Sequence, residues 1–224
     1  MDGSGITVFA GRFGSGKTEA AINYALALVG KQGASPILID LDIVTPYFRS
    51  RETATAMQER GVEVVAPSIV GQHLDMPAIT PQILGAIQQD QRPVVLDVGG
   101  DRQGARALGQ FSSAIQQCGY AMHFVVNPYR PFTDTLAGLQ SSIAEIEASA
   151  RLRVSSLVSN PNLIGETTAE QIVDGHAKIE AFAKELGLPI AFVCVERGWA
   201  GRLDSNHFAQ PVLALDRFFV MTWE

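Results

Sequence analysis

The chain has 224 residues, 46% of them hydrophobic and 18% charged, enough apolar surface for a sizeable core, which excludes a disordered chain. At about 150 residues per domain that length fits one large domain, residues 1–224. The 17 Lys and Arg against 23 Asp and Glu leave a net charge of −6, which argues against a sequence-independent electrostatic hold on nucleic acid.

The elements alternate along the chain. Short apolar runs read as strands at Ile6 to Ala10, Pro36 to Asp40, Val62 to Ala66, Pro93 to Val98, Ala121 to Asn127, Val154 to Ser159 and Pro189 to Val195. Between them, helical patterns span Lys17 to Lys31, Arg51 to Gln58, Pro81 to Gln89, Gly104 to Gln117, Phe132 to Ala150 and Thr168 to Leu186. Nearly continuous apolar strands joined by helices predict an α/β, three-layer, open and mostly parallel sheet of about seven strands, covered by helices on both faces. Ligands of such sheets sit beyond the carboxyl ends of the strands.

Several functions are disfavoured. No apolar run of about 18 residues and no basic-then-apolar leader occurs, so a cytoplasmic protein without a membrane anchor is expected. The segment Arg217 to Glu224 is too short and too poor in basic residues for an amphipathic anchor. Cys118 and Cys194, with His73, His123, His176 and His207, lack ligand spacing, which speaks against a disulfide framework and a thiolate or imidazole metal site.

The strongest motif is Gly11-Arg12-Phe13-Gly14-Ser15-Gly16-Lys17-Thr18, which fits G-x-x-x-x-G-K-[ST] between a strand and a helix. Chance supplies that pattern in roughly 0.4% of chains of this composition. Its glycines let backbone N–H groups turn around an anion, and the helix that follows adds its positive end. Lys17 would put a point charge on the β and γ phosphates, and Thr18 a hydroxyl on Mg²⁺. Ser15 either adds a further hydroxyl or is only a small loop side chain.

Acids and amides end the next strands. Asp40 and Asp42 lie two apart and point to one side of an extended chain. Two like charges so placed suit a cation or a positioned water, although capping of the following turn is the plainer role. Asp97, followed by Val98-Gly99-Gly100, is placed like a Walker B acid that holds Mg²⁺, with Gly100 offering its N–H to a γ phosphate. A turn-capping carboxylate is the alternative for Asp97, and Asp101 reads as a helix cap. Asn127 and Asn160 end two further strands, where each either faces a base edge or simply makes an Asn-Pro turn.

Taken together, Gly11 to Thr18, Asp40-Leu41-Asp42, Asp97 to Gly100, Asn127-Pro128 and Asn160 resemble the MinD/ParA and CobQ/CobB-type ATPases of the SIMIBI class of P-loop NTPases. The resemblance implies ATP and Mg²⁺ as cofactors, Asp42 as the acid that positions the attacking water, Asp40 and Asp97 beside Thr18 at the metal, and Asn160 toward adenine. It also implies an ATP-dependent homodimer. The signature Lys of that family has Arg12 in its place here, followed by Phe13 where Gly is usual. Arg12 therefore either delivers a bidentate charge to a phosphate or is a plain surface residue.

Thr45 to Glu52, where a switch would lie, contains Arg49 and Arg51, which suit an acidic protein partner or a small acidic substrate; the alternative is a helix start with solvated charges. Three functions share the cradle. One is Mg-dependent ATP hydrolysis driving a switch or assembly factor. The second resembles CobB and dethiobiotin synthetase, with phosphoryl transfer to a small carboxylate. The third is a nucleotide-binding module whose hydrolysis is vestigial.

Overall fold

The computed structural model describes residues 5–31, 35–42, 51–65, 81–89, 91–203 and 207–218. Its strands are β1 (Ile6–Ala10), β2 (Ile37–Leu41), β3 (Glu63–Val65), β4 (Val94–Val98), β5 (Tyr120–Val126), β6 (Ser156–Ser159), β7 (Ile190–Glu196) and β8 (Val212–Leu215). They form one parallel sheet in the order β3-β2-β4-β1-β5-β6-β7-β8. The helices are α1 (Lys17–Leu28), α2 (Arg51–Glu59), α3 (Pro81–Gln88), α4 (Arg102–Gly109), α5 (Ser112–Cys118), α6 (Leu136–Ala150), α7 (Ala169–Leu186) and α8 (Arg197–Ala200).

Strands β1, β2, β4 and β6 are buried along their whole length, as expected when helices cover both faces of a parallel sheet. Side chains alternate between the faces. Ile6, Val8, Ala10, Leu96 and Val98 pack with Ile83, Leu108, Ile115, Ile146 and Ile179 of the surrounding helices. Phe9, Val95, Val125 and Phe192 meet Ile22, Tyr24 and Ala25 of α1 on the opposite side. Among the described residues no helix is long and apolar enough to cross a membrane.

Three elements depart from the sequence reading. The sheet has eight strands rather than about seven, because Val212–Leu215, a four-residue run without β-branched density, pairs in parallel with β7. The helix expected over 104–117 is two, α4 and α5. At Gly109 a Cβ would stand 2.7 Å from the Ser149 carbonyl of α6, and Ser112 Oγ donates to the Gly109 carbonyl at 2.9 Å, so the chain turns there. Helix α6 begins at Leu136 rather than Phe132, since Thr135 caps it by accepting from Gly138 N.

His123 lies on β5 in an aromatic cluster with Phe9, Tyr24 and Phe192, its Nδ1 2.6 Å from Ser156 Oγ. Burial lowers its pKa from 6.5 to about 4. The unfolded chain therefore binds this proton first, and stability present above pH 6.5 is lost as pH falls toward 4. The loss amounts to about 3 kcal/mol from this side chain. Urea unfolding at pH 7.5 and pH 5 should show the wild type losing more stability than His123→Phe; equal losses would refute the assignment.

Candidate functional site

Parallel pairing brings the ends of β1, β2, β4, β5 and β6 to one edge of the sheet, and the motif residues collect there. Gly16 caps α1 in the left-handed region, at φ 83°, and no side chain fills the cap. The first N–H groups of a 12-residue helix are thus left for an anion. A Cβ on Gly16 would run into Asn160 Nδ2, and one on Gly11 would stand 2.7 Å from both Ser15 Oγ and the Val125 carbonyl. Glycine at these two positions is required by close approach. Ser15 is buried and its hydroxyl is sealed from solvent without a partner, so in this conformation it is an inward-facing loop residue.

Lys17 is buried at the start of α1, and its Nζ lies 3.4 Å from Asp42 Oδ2. The Asp42 backbone N donates to Asp40 Oδ1 at 2.9 Å, which ties the two acids together at the end of β2. Asp40 stands opposite Asp97 in the β2–β4 register. All three acids are buried.

Asp97 has both oxygens sealed from solvent, with the Thr18 hydroxyl beside them. Its pKa is raised from 3.8 to about 7, mainly by burial, with Asp40 and Asp42 adding to the rise and Lys17 and the nearby Thr18 hydroxyl opposing it. A sealed carboxylate among like charges is costly until a cation joins it. Among the described residues no group of three or more His, Cys, Asp or Glu is arranged to hold a metal. The available donor set is the Thr18 hydroxyl with Asp40 and Asp97, and all three are hard oxygen ligands, which suits Mg²⁺ completed by phosphate and water.

Gly100 is pressed against the cradle. A Cβ there would fall 2.7 Å from Phe13 N and 2.9 Å from the Gly11 carbonyl. One residue on, Asp101 caps α4 by accepting from Gly104 N at 2.8 Å. The turn after β4 therefore links the cradle to α4 within two residues.

No family model and no curated protein matches the chain, but solved structures do. Chloroplast FtsY from Physcomitrella patens aligns with TM-score 0.55 at 19% identity, over 85% of this chain and 58% of that one. The signal recognition particle receptor FtsY from Elizabethkingia anophelis, in complex with GDP, gives 0.52 at 18% identity, over 87% and 58%. A nucleotide-binding protein from Archaeoglobus fulgidus, in complex with ADP, gives 0.50 at 18% identity, over 92% and 84%.

The fold is that of the SIMIBI class of P-loop NTPases. The chain spans about three fifths of the length of the two receptor structures.

Within this SIMIBI fold the asparagines divide. Asn127 is spent on loop structure: its Nδ2 donates to the Asn162 carbonyl at 2.7 Å and its Oδ1 accepts from Tyr129 N. Asn160 touches the cradle, its Nδ2 donating to the Ser15 carbonyl at 2.7 Å while its buried Oδ1 has no partner. Arg12 turns outward, with one guanidinium nitrogen 3.2 Å from Glu145 Oε2 and the group 4.8 Å above the Phe132 ring. Glu145 also holds Arg102 of α4 at 2.9 Å. Phe13 and Phe132 are exposed beside it.

Glu145 carries no sequence signal, being one of several polar residues on α6. Arg130 is also at the site, with its stem along Gly14. The sequence gives a hint in the dense Tyr129-Arg130-Pro131-Phe132 run. Glu19, in the first turn of α1, accepts from Phe218 N at 2.9 Å and ties the chain's far end to that helix. Thr45 to Ser50, Arg49 included, lies outside the described residues, as does the Arg51 side chain.

Proposed function

We propose that this chain binds and hydrolyses ATP with Mg²⁺, acting as a nucleotide-driven switch or assembly factor of the MinD/ParA kind that forms a homodimer when ATP is bound. The observation that carries this reading is Asp97, sealed beside Asp40 and Thr18 and within the field of Lys17. That charge pattern is relieved when a cation and a polyanion arrive together. ATP rather than GTP is the reading because of the resemblance to the MinD/ParA and CobQ/CobB-type ATPases, with no Asn-Lys-x-Asp guanine signature near Asn160.

The residues act as follows. Backbone N–H groups at the start of α1 receive the phosphates. The incoming anion competes with Asp42 for Lys17, and the Asp42 carboxylate, once displaced, orients water. Thr18, Asp40 and Asp97 would hold Mg²⁺, which when bound neutralises charge on the phosphate oxygens. Gly100, in contact with the cradle, reports its occupancy to α4 through the Asp101 cap. An unidentified protein partner or small acidic substrate would meet the chain through Arg49 and Arg51.

Phosphate release from ATP and from GTP, with Mg²⁺ and with chelator, tests the reading. Asp42→Asn is expected to lower kcat for ATP by about 100-fold or more while nucleotide still binds. Hydrolysis indifferent to Mg²⁺ and to Asp42→Asn would refute it.

A further inference from the structure

We propose that Arg130, in the turn after β5, is a second cation of the phosphate site, in the place of Arg12, which Glu145 holds outward. The inference rests on the nucleotide-binding reading above and adds a residue to it.

The Arg130 side chain lies along the cradle itself. A Cβ on Gly14 would stand 3.5 Å from Arg130 Nε, 3.6 Å from Cδ and 3.9 Å from Cγ, ordinary contact distances, so the stem runs directly along the loop at Gly14, where the φ of 75° favours glycine. The backbone that carries it is pinned. Arg130 N donates to the Asn127 carbonyl at 3.2 Å, and the Arg130 carbonyl accepts from Thr133 N at 3.3 Å. Thr133 Oγ1 donates to both the Asn127 and the Arg130 carbonyls.

The charge, by contrast, is uncommitted. Nε is buried without a hydrogen-bond partner, and no ion pair to Arg130 occurs among the described residues. Arg12, Arg92, Arg102, Arg153 and Arg197 all have carboxylate partners within 4 Å. A guanidinium with a sealed, unmade hydrogen bond costs free energy that an acceptor would recover. The Arg130 stem runs along the glycine-rich loop that the proposed function assigns to phosphate, and a guanidinium fork matches phosphate oxygens two at a time. Arg12 cannot serve that role while Glu145 and the Phe132 ring hold it on the rim.

Calorimetric titration of the full chain with Mg-ATP and with Mg-tripolyphosphate, which has no base or sugar, tests the assignment. Arg130→Met keeps the stem against Gly14 and removes the charge; Arg130→Lys restores a charge. Arg130→Met is expected to weaken both ligands by about 10- to 100-fold, with partial recovery in Arg130→Lys, while the empty Arg130→Met protein unfolds at no lower a temperature than wild type. Loss toward ATP with tripolyphosphate unaffected would overturn the proposal and assign Arg130 to the nucleoside. Wild-type affinity for both ligands in Arg130→Met, with Lys17→Ala abolishing binding, would overturn it while leaving the proposed function standing. A wild-type chain that binds neither ligand would overturn both.

Discussion

Lys17→Ala is expected to abolish binding of Mg-ATP and also to destabilise the empty protein. The Lys17–Asp42 pair is buried on both sides, at 8% and 5% side-chain exposure. Removing one member of such a pair leaves the other charge buried without its counter-ion, which costs about 3–5 kcal/mol. The neighbouring Asp97 loses the one cation that lowers its pKa, so its ionised form becomes harder still to keep. The double variant Lys17→Ala/Asp42→Ala removes the stranded charge and should recover much of the stability without recovering nucleotide binding. Urea unfolding of the two variants beside wild type measures this. A single variant as stable as the parent would mean that the pair does not form in solution.

Asp97→Asn should separate stability from function in the opposite direction. The Asp97 pKa stands at about 7 in the folded chain against 3.8 for an unperturbed aspartate, so the folded state holds this proton more tightly than the unfolded state. The contribution is neutral below the unfolded value, turns destabilising as pH climbs from about 4 to 7, and stays at its full cost above that. The asparagine variant is therefore expected to be more stable than wild type at pH 8 by on the order of a few kcal/mol, read as a higher unfolding temperature, with the advantage vanishing toward pH 4. If the proposed function holds, Mg-ATP should raise the wild-type melting temperature at pH 8 and raise that of the variant far less, because a ligand of the folded state stabilises it by mass action. Hydrolysis should fall with it. A variant that gains no stability when empty would show that the carboxylate is already satisfied in solution.

The two predictions draw on different parts of what is legible in the sequence. Lys17, Thr18 and the three cradle glycines are adjacent in the chain, and local sequence is enough to place them on a strand–loop–helix unit. Asp40, Asp42 and Asp97 are readable as strand-end acids, because a parallel strand closes with a polar residue at the edge where its helix departs. Strand β8 escapes a sequence reading because Val212–Leu215 is short and its pairing depends on β7. The break between α4 and α5 escapes it because its cause, the Ser149 carbonyl against Gly109, lies on another helix.

Side-chain partners are the least legible part. Asn127 and Asn160 sit in nearly the same local sequence, Asn-Pro after an apolar strand, yet one is consumed by the loops and the other touches the cradle. No local pattern distinguishes them. The same holds for Arg12 and Arg130: Arg12, within the Gly11–Thr18 motif, is captured by Glu145, 133 residues away, whereas Arg130, outside the motif, lies along that loop with its Nε unpartnered.

The sequence by itself determined the alternation of strands and helices, the glycine-rich strand–loop–helix motif and the acids at the strand ends, since each follows from periodicity or from residues a few positions apart. Only the tertiary structure decided strand order, the Asp40–Asp97 juxtaposition, the Lys17–Asp42 pair and the burial of Arg130 Nε without a hydrogen-bond partner. Those outcomes are set by residues distant in sequence meeting at short range, where burial turns small differences in position into large differences in the cost of a charge.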